Sequence, residues 1–93
     1  MPEVEWKDSA RTDLLEIIDY ISDDNPEAAQ KLKDEIEAKT AKLSSHPKIC
    51  RQGRLAGTRE MVVHKNYIVV YTESISRVFI LRVLHVARSW PGS

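Results

Sequence analysis

Little in this chain can rest on cross-links, bound metal or long apolar runs. It has one cysteine, Cys50, so no disulfide can form within it, and a reducing compartment suits it. Cys50 sits among cations in Lys48-Ile49-Cys50-Arg51. Such neighbours can lower a thiol's pKa, but a passive cysteine in a loop or strand edge is the simpler reading. Cys50 and three scattered histidines show no metal-ligand spacing, so neither a metal nor any other cofactor is expected. No apolar run approaches the ~20 residues needed to span a bilayer, so no membrane association is expected. Met1-Pro2-Glu3-Val4-Glu5 is acidic and lacks the apolar segment of a secretory signal, which predicts a cytoplasmic protein. Glycine is scarce, at 3 residues, and forms no phosphate cradle. No carboxylate dyad or Ser/His/Asp arrangement is recognisable. Glu60 and Glu73 are the only acids after residue 47, too few for a two-metal nuclease site.

What the chain does have is an uneven distribution of charge. The net charge is +0 over 93 residues, with 14 Lys/Arg and 14 Asp/Glu. Residues 1–47 hold 12 acids and 6 bases, a balance of −6; residues 48–93 hold 2 acids and 8 bases, a balance of +6. The basic half also carries His64 and His85. A basic, strand-rich half can meet phosphate or an acidic partner, with the acidic half as scaffold.

The length predicts a single domain covering residues 1–93, with a small core. Val4 and Trp6 alternate with Glu3, Glu5 and Lys7, which predicts a short first strand. Asp8 or Ser9 suits a helix N-cap. Ala10, Leu14, Ile17 and Ile21 then form an apolar stripe at helical spacing. Asn25-Pro26 reads as a cap followed by proline at the first helical position. Ala29, Leu32, Ile36 and Leu43 line the inner face of this second helix. Lys31–Glu35 and Lys33–Glu37 are placed for i,i+4 pairs on its outside, and Ser44-Ser45-His46-Pro47 ends it. Residues 48–58 read as a basic loop. Met61-Val62-Val63, Tyr67–Tyr71 and Arg77–Leu84 read as strands, joined by turns at Lys65-Asn66 and Ser74-Ile75-Ser76. Strict alternation in the last strand puts Phe79, Leu81 and Val83 on one face and Val78, Ile80, Arg82 and Leu84 on the other. The expected class is α+β. An N-terminal strand and a helical hairpin precede a mostly antiparallel three-strand segment that completes a small twisted sheet, with the hairpin covering one face.

Several residues stand out from these patterns. Arg82 interrupts an apolar strand; it is either a tolerated arginine with its stem on apolar surface or a guanidinium aimed at phosphate. His85 follows that strand, where a rigid strand end can aim a proton donor or acceptor, or simply pack a side chain. Arg88 and Trp90 add a cation and a stacking surface suited to unpaired RNA bases, though Trp90 equally suits a plug over the sheet edge. His64, Lys65, Asn66 and Tyr67 form the tip and exit of the middle hairpin. Arg51, Arg54 and Arg59 flank the glycine loop and, with Lys48, extend the basic surface.

Three segments carry a family likeness: Gly53-Arg54-Leu55-Ala56-Gly57-Thr58-Arg59-Glu60-Met61-Val62-Val63, Tyr67-Ile68-Val69-Val70-Tyr71, and Ile80-Leu81-Arg82-Val83-Leu84-His85 followed by Arg88-Ser89-Trp90-Pro91. Together they resemble the RelE/ParE superfamily of bacterial toxins, and the preceding strand and hairpin fit that fold. The resemblance implies the toxin of a type II toxin–antitoxin module, held by a small antitoxin in a hetero-oligomer. RelE-like members cut mRNA on the ribosome without metal, whereas ParE-like members inhibit DNA gyrase and are not nucleases. The favoured expectation is the mRNA endoribonuclease, with the ribosome and mRNA as further partners; the alternative is the gyrase inhibitor. In the first, a 2′-hydroxyl attacks the adjacent phosphate with His85 as general acid or base, and Arg82 and Arg88 stabilise the developing charge. Tyr67 or Trp90 would stack a base, and Arg59 and Lys65, with Arg54 on the same surface, would hold backbone phosphates. The hairpin and the Arg82–His85 segment look ParE-like, while a strand-end histidine matches ribonuclease branches. An acidic antitoxin segment would suit the +6 half.

Overall fold

A computed structural model describes residues 2–87. Strand β1 (Glu3–Trp6) leads into helix α1 (Asp8–Asp24), then α2 (Pro26–Ala41) and a single 3-10 turn, Lys42–Ser44. Strands β2 (Arg51–Gln52), β3 (Arg59–His64), β4 (Tyr67–Glu73) and β5 (Arg77–His85) follow. The sheet runs β1-β5-β4-β3-β2. β1 lies parallel to β5, across the crossover made by the helices, and the other pairs are antiparallel. The α+β architecture is as expected. The basic loop, however, contains a fourth C-terminal strand: Arg51 and Gln52 pair with Glu60 and Arg59. The loop between them closes on itself through Gly53 N–H to the Thr58 carbonyl, at 2.8 Å, and turns at Gly57 with φ +83°, a conformation that glycine adopts without strain.

The helical hairpin packs α1 on β5 and α2 on β3. Ala10, Leu14, Leu32, Ile36 and Leu43 meet Val63, Val69, Tyr71, Val78, Ile80 and Val83 in one core. β4 is buried on both faces, because Ile68 and Val70 form a second buried cluster with Leu84. That explains its continuous β-branched run. Asn25 caps α2 as expected, its side chain accepting from Ala28 N–H at 3.1 Å. Of the anticipated outer pairs, Lys33–Glu37 forms at 3.3 Å, but Glu35 pairs with Lys39 rather than Lys31. Lys39 is drawn there because its Nζ also donates to the Val63 carbonyl at 2.9 Å.

Strict alternation fails in β5. The register shifts between Val70 and Tyr71, whose partners are Arg82 and Ile80, so Leu81 is an extra residue opposite no partner. A bulge of this kind reverses the inward and outward parity beyond it. Val83 therefore joins Val78 and Ile80 in the core rather than facing away from them.

β1 ends at Trp6, opposite Ile80, while β5 continues to His85. The first turns of α1 take the place of the missing strand. Lys7 N–H donates to the Ile80 carbonyl at 2.9 Å and Ser9 Oγ donates to the Leu81 carbonyl at 2.8 Å. Asp13 accepts from Val83 N–H at 3.0 Å. Ser9 is thus not the helix cap; the helix starts at Asp8 after Lys7, with no side-chain cap, and the Ser9 hydroxyl serves the sheet instead. Asp13 also receives Nε and Nη2 of Arg82, at 2.7 and 3.0 Å. This fork raises the pKa of Arg82 against the opposing effect of burial, with the charges of Asp13 and Glu16 adding to it.

Two predictions follow from this packing. Asp13→Ala leaves a part-buried guanidinium and the Val83 N–H without their acceptor, and should lower the unfolding free energy by about 2–4 kcal/mol. Combined with Arg82→Ala in a double-mutant cycle, it should show a coupling above ~1 kcal/mol; additive losses would mean that the pair contributes nothing to stability. Tyr71 is fully buried and donates to the Pro47 carbonyl at 2.9 Å. Burial, followed by hydrogen bonding with Cys50, pushes its hydroxyl above the ordinary value of 10.0. Above that pH the unfolded chain binds fewer protons than the fold, so stability falls as pH rises. Tyr71→Phe should cost about 1 kcal/mol at neutral pH through the lost hydrogen bond. Urea unfolding should show this gap closing at alkaline pH, and a gap of constant size would refute the assignment.

Candidate functional site at the end of strands β4 and β5

The ends of three strands align three side chains. Tyr67 pairs in register with His64 on β3 and with His85 on β5. The Tyr67 and His85 rings meet edge to face, with centroids 5.4 Å apart, and the His64 ring lies tilted 5.9 Å from Tyr67 on the other side. Each histidine is held by the turn that follows it. His64 Nδ1 accepts from Asn66 N–H at 3.2 Å, and His85 Nδ1 accepts from Ala87 N–H at 3.1 Å. This places the proton of each neutral ring on Nε2. His85 is exposed at the mouth of a cleft of ≈ 220 Å³. Asp13, Glu16, Ile17 and Tyr20 of α1 form one wall, and Tyr67 and His85 the other.

The residues singled out from sequence separate into two groups. His85 and Tyr67 come together, in contact across the β4–β5 pair. Lys65 is exposed in the adjoining turn. Among the described residues, the arginines singled out point into intramolecular ion pairs. Arg82 is forked onto Asp13. Arg59 Nε contacts Glu73 at 3.0 Å, and its Nη1 donates to the Cys50 carbonyl at 2.7 Å. Arg54 lies by Glu60, its backbone N–H donating to that carboxylate at 2.9 Å and its Nε 3.7 Å from it. Arg51 contacts Glu60 at 3.4 Å. Glu60 is buried, so these partners compensate a carboxylate that would be costly alone. The two acids of the basic half therefore engage three of its arginines. Arg88 and Trp90 lie outside the described residues. Among the described residues no group of three His, Cys, Asp or Glu is placed to hold a metal ion, and no helix is long and apolar enough to cross a membrane.

The α1 side of the cleft was missed in sequence, though a signal existed. Asp13 lies on the apolar stripe between Ala10 and Ile17, and a carboxylate on a buried stripe needs a partner. Glu16 and Tyr20, one helical turn apart, flank the same stripe.

Comparison with known proteins agrees with this fold. The chain is 36% identical over 90 residues to Toxin RelE2 of Caulobacter vibrioides, covering 95% of this chain and 99% of the relative. It is 38% identical over 90 residues to putative toxin Y4kP of Sinorhizobium fredii, covering 95% and 92%. Among solved structures, the chromosomal ParDE toxin–antitoxin system from P. aeruginosa superposes with a TM-score of 0.83 at 22% identity, covering 92% of this chain and 97% of that one. YafQ from E. coli superposes at 0.65 with 13% identity, covering 94% and 96%. The ParE toxin family of type II toxin–antitoxin systems matches residues 4–90. With nearly its whole length accounted for, the chain belongs to that family, within the RelE/ParE superfamily of type II toxins.

Proposed function

We propose that this toxin acts by binding rather than by cleaving RNA, inhibiting DNA gyrase in the manner of ParE-like toxins, and that an antitoxin encoded with it holds it inactive. The observation that carries this reading is the electrostatic character of the cleft beside His85. A phosphate brought to His85 would meet the exposed Glu16 carboxylate on the facing helix, with Asp13 beside it already balanced by Arg82. Of the two arginines expected to stabilise the developing charge, Arg82 is forked onto Asp13 and Arg88 lies outside the described residues; Arg59, expected to hold a backbone phosphate, is held by Glu73. General acid–base catalysis by a histidine supplies only part of such a rate acceleration, and preorganised positive charge supplies more. Two of the toxin's arginines are instead oriented by internal carboxylates, which suits a rigid surface presented to a protein target. Membership of the ParE family supports the same reading.

A second reading has one observation in its favour. His85 is exposed, its Nδ1 is fixed by Ala87 and its ring lies against Tyr67, an arrangement able to move a proton and stack a base. In that case the toxin cuts mRNA on the ribosome, with Lys65 at the neighbouring turn toward the backbone.

Purified toxin added to DNA gyrase on relaxed plasmid should block supercoiling, and defined mRNA in a reconstituted translation reaction should stay intact by primer extension. His85→Ala should retain growth inhibition in cells. New 5′ ends inside the reading frame, appearing only with ribosomes and lost with His85→Ala, would replace the gyrase reading with the ribonuclease one.

A further inference from the structure

In the cleft between α1 and the end of β5, His85 and Tyr67 of the strand-end site face acidic side chains of the first half. Its chemistry is specific. Asp13 is already engaged by Arg82 and the Val83 N–H. Glu16, one turn along the helix, is exposed and acts on Arg82 through its charge, without a hydrogen bond among the described residues. Tyr20 is 79% exposed at the same wall, Tyr67 presents its ring from the strand side, and Ile17 lies between. An anion is disfavoured here by Glu16, the charge of Asp13 being balanced by Arg82. A purely apolar side chain would strip water from the Glu16 carboxylate without giving it a hydrogen bond, which costs free energy. The volume of ≈ 220 Å³ falls below the ~300–1,000 Å³ of small-molecule sites and suits a single long side chain.

We propose that this cleft receives an arginine side chain from a partner protein, the guanidinium on the Glu16 carboxylate and its planar face against Tyr20 and Tyr67. Arginine meets all three surfaces at once. Its fork matches a carboxylate, its plane stacks on aromatic rings, and its aliphatic stem covers Ile17. A lysine would keep the charge but lose the fork and the stacking. The partner segment at this point is therefore basic, in contrast to an acidic segment laid on the strand-rich half. The inference does not depend on gyrase being the target, because it concerns the recognition chemistry of the cleft alone.

The test uses the full-length 15N-labelled toxin and an acetylated, amidated pentapeptide with arginine at its centre and alanine elsewhere. Backbone amides of residues 13–20 and 83–85 should shift in a saturable manner. Replacing the arginine by citrulline, which keeps shape and removes charge, should weaken binding about tenfold, and lysine should fall between them. Glu16→Gln should weaken the arginine peptide by a similar factor, while Tyr20→Ala lowers affinity and narrows the arginine–lysine difference. Tyr20→Ala should unfold at the wild-type midpoint and Glu16→Gln close to it, since neither residue is in the core and Glu16 touches the Asp13–Arg82 pair only through its charge. Equal binding of the citrulline and arginine peptides would overturn the proposal, as would shifts confined to another surface or no saturable shift at millimolar peptide. Dilution of the toxin alone moving the same amides would overturn it in favour of a second copy of the chain as occupant.

Discussion

One carboxylate joins the two halves of this protein. Asp13 accepts two hydrogen bonds from the Arg82 guanidinium and a third from the Val83 backbone. It leaves α1 and reaches β5 where β1 has already ended, so it serves as both ion-pair partner and substitute for a strand. Without it, the last turn of the sheet would present an unpaired N–H beside a part-buried cation, each with a desolvation cost. With it, α1 is fixed against the end of β5. That fixed contact defines the cleft, the position of Glu16 and Tyr20, and the mouth at which His85 stands.

The charge asymmetry takes on a different meaning in this light. A −6 half and a +6 half suggest an acidic scaffold and a basic binding surface. Arg82 and Arg77 instead turn toward acids of the first half, Asp13 for one and Glu5 at 2.8 Å for the other. Arg51, Arg54 and Arg59 turn toward the two acids of their own half. Exposed pairs such as Arg77–Glu5 add little to stability. They do fix side-chain directions, and a guanidinium aimed at an internal carboxylate is less available to a phosphate. Much of the apparent basic face is thus complementary to the rest of the chain, and its ends face an acidic cleft.

Most of the architecture was legible because it rests on local rules. The Ala10–Ile21 stripe, the Asn25-Pro26 cap, and the β-branched run of β4 each record a period or a terminus that the backbone must satisfy. The resemblance of Ile80–His85 to RelE/ParE toxins also pointed to the family that the chain belongs to. What escaped was nonlocal. The bulge at Leu81 depends on how β5 aligns with β4, and it reversed the faces assigned beyond it. The two-residue β2 forms only because Arg51 and Gln52 can pair with β3. Two anomalies were nonetheless present in the chain as complementary signals: a carboxylate on an apolar helix stripe and a guanidinium in an apolar strand. Each is costly alone, and the pair resolves both.

The same reasoning limits what a strand-end histidine implies. His85 has a fixed tautomer, an aromatic neighbour and solvent access, which are conditions for proton transfer. Catalysis on a phosphodiester also needs positive charge organised where negative charge develops. Here the nearest helix offers carboxylates, and the arginine three residues earlier in the strand is turned onto one of them. A site with a proton carrier but an acidic wall is better suited to holding a cationic side chain than to stabilising an anionic transition state. In this chain α1 residues 13, 16 and 20 set the charge and the aromatic surface that any partner entering the cleft must match.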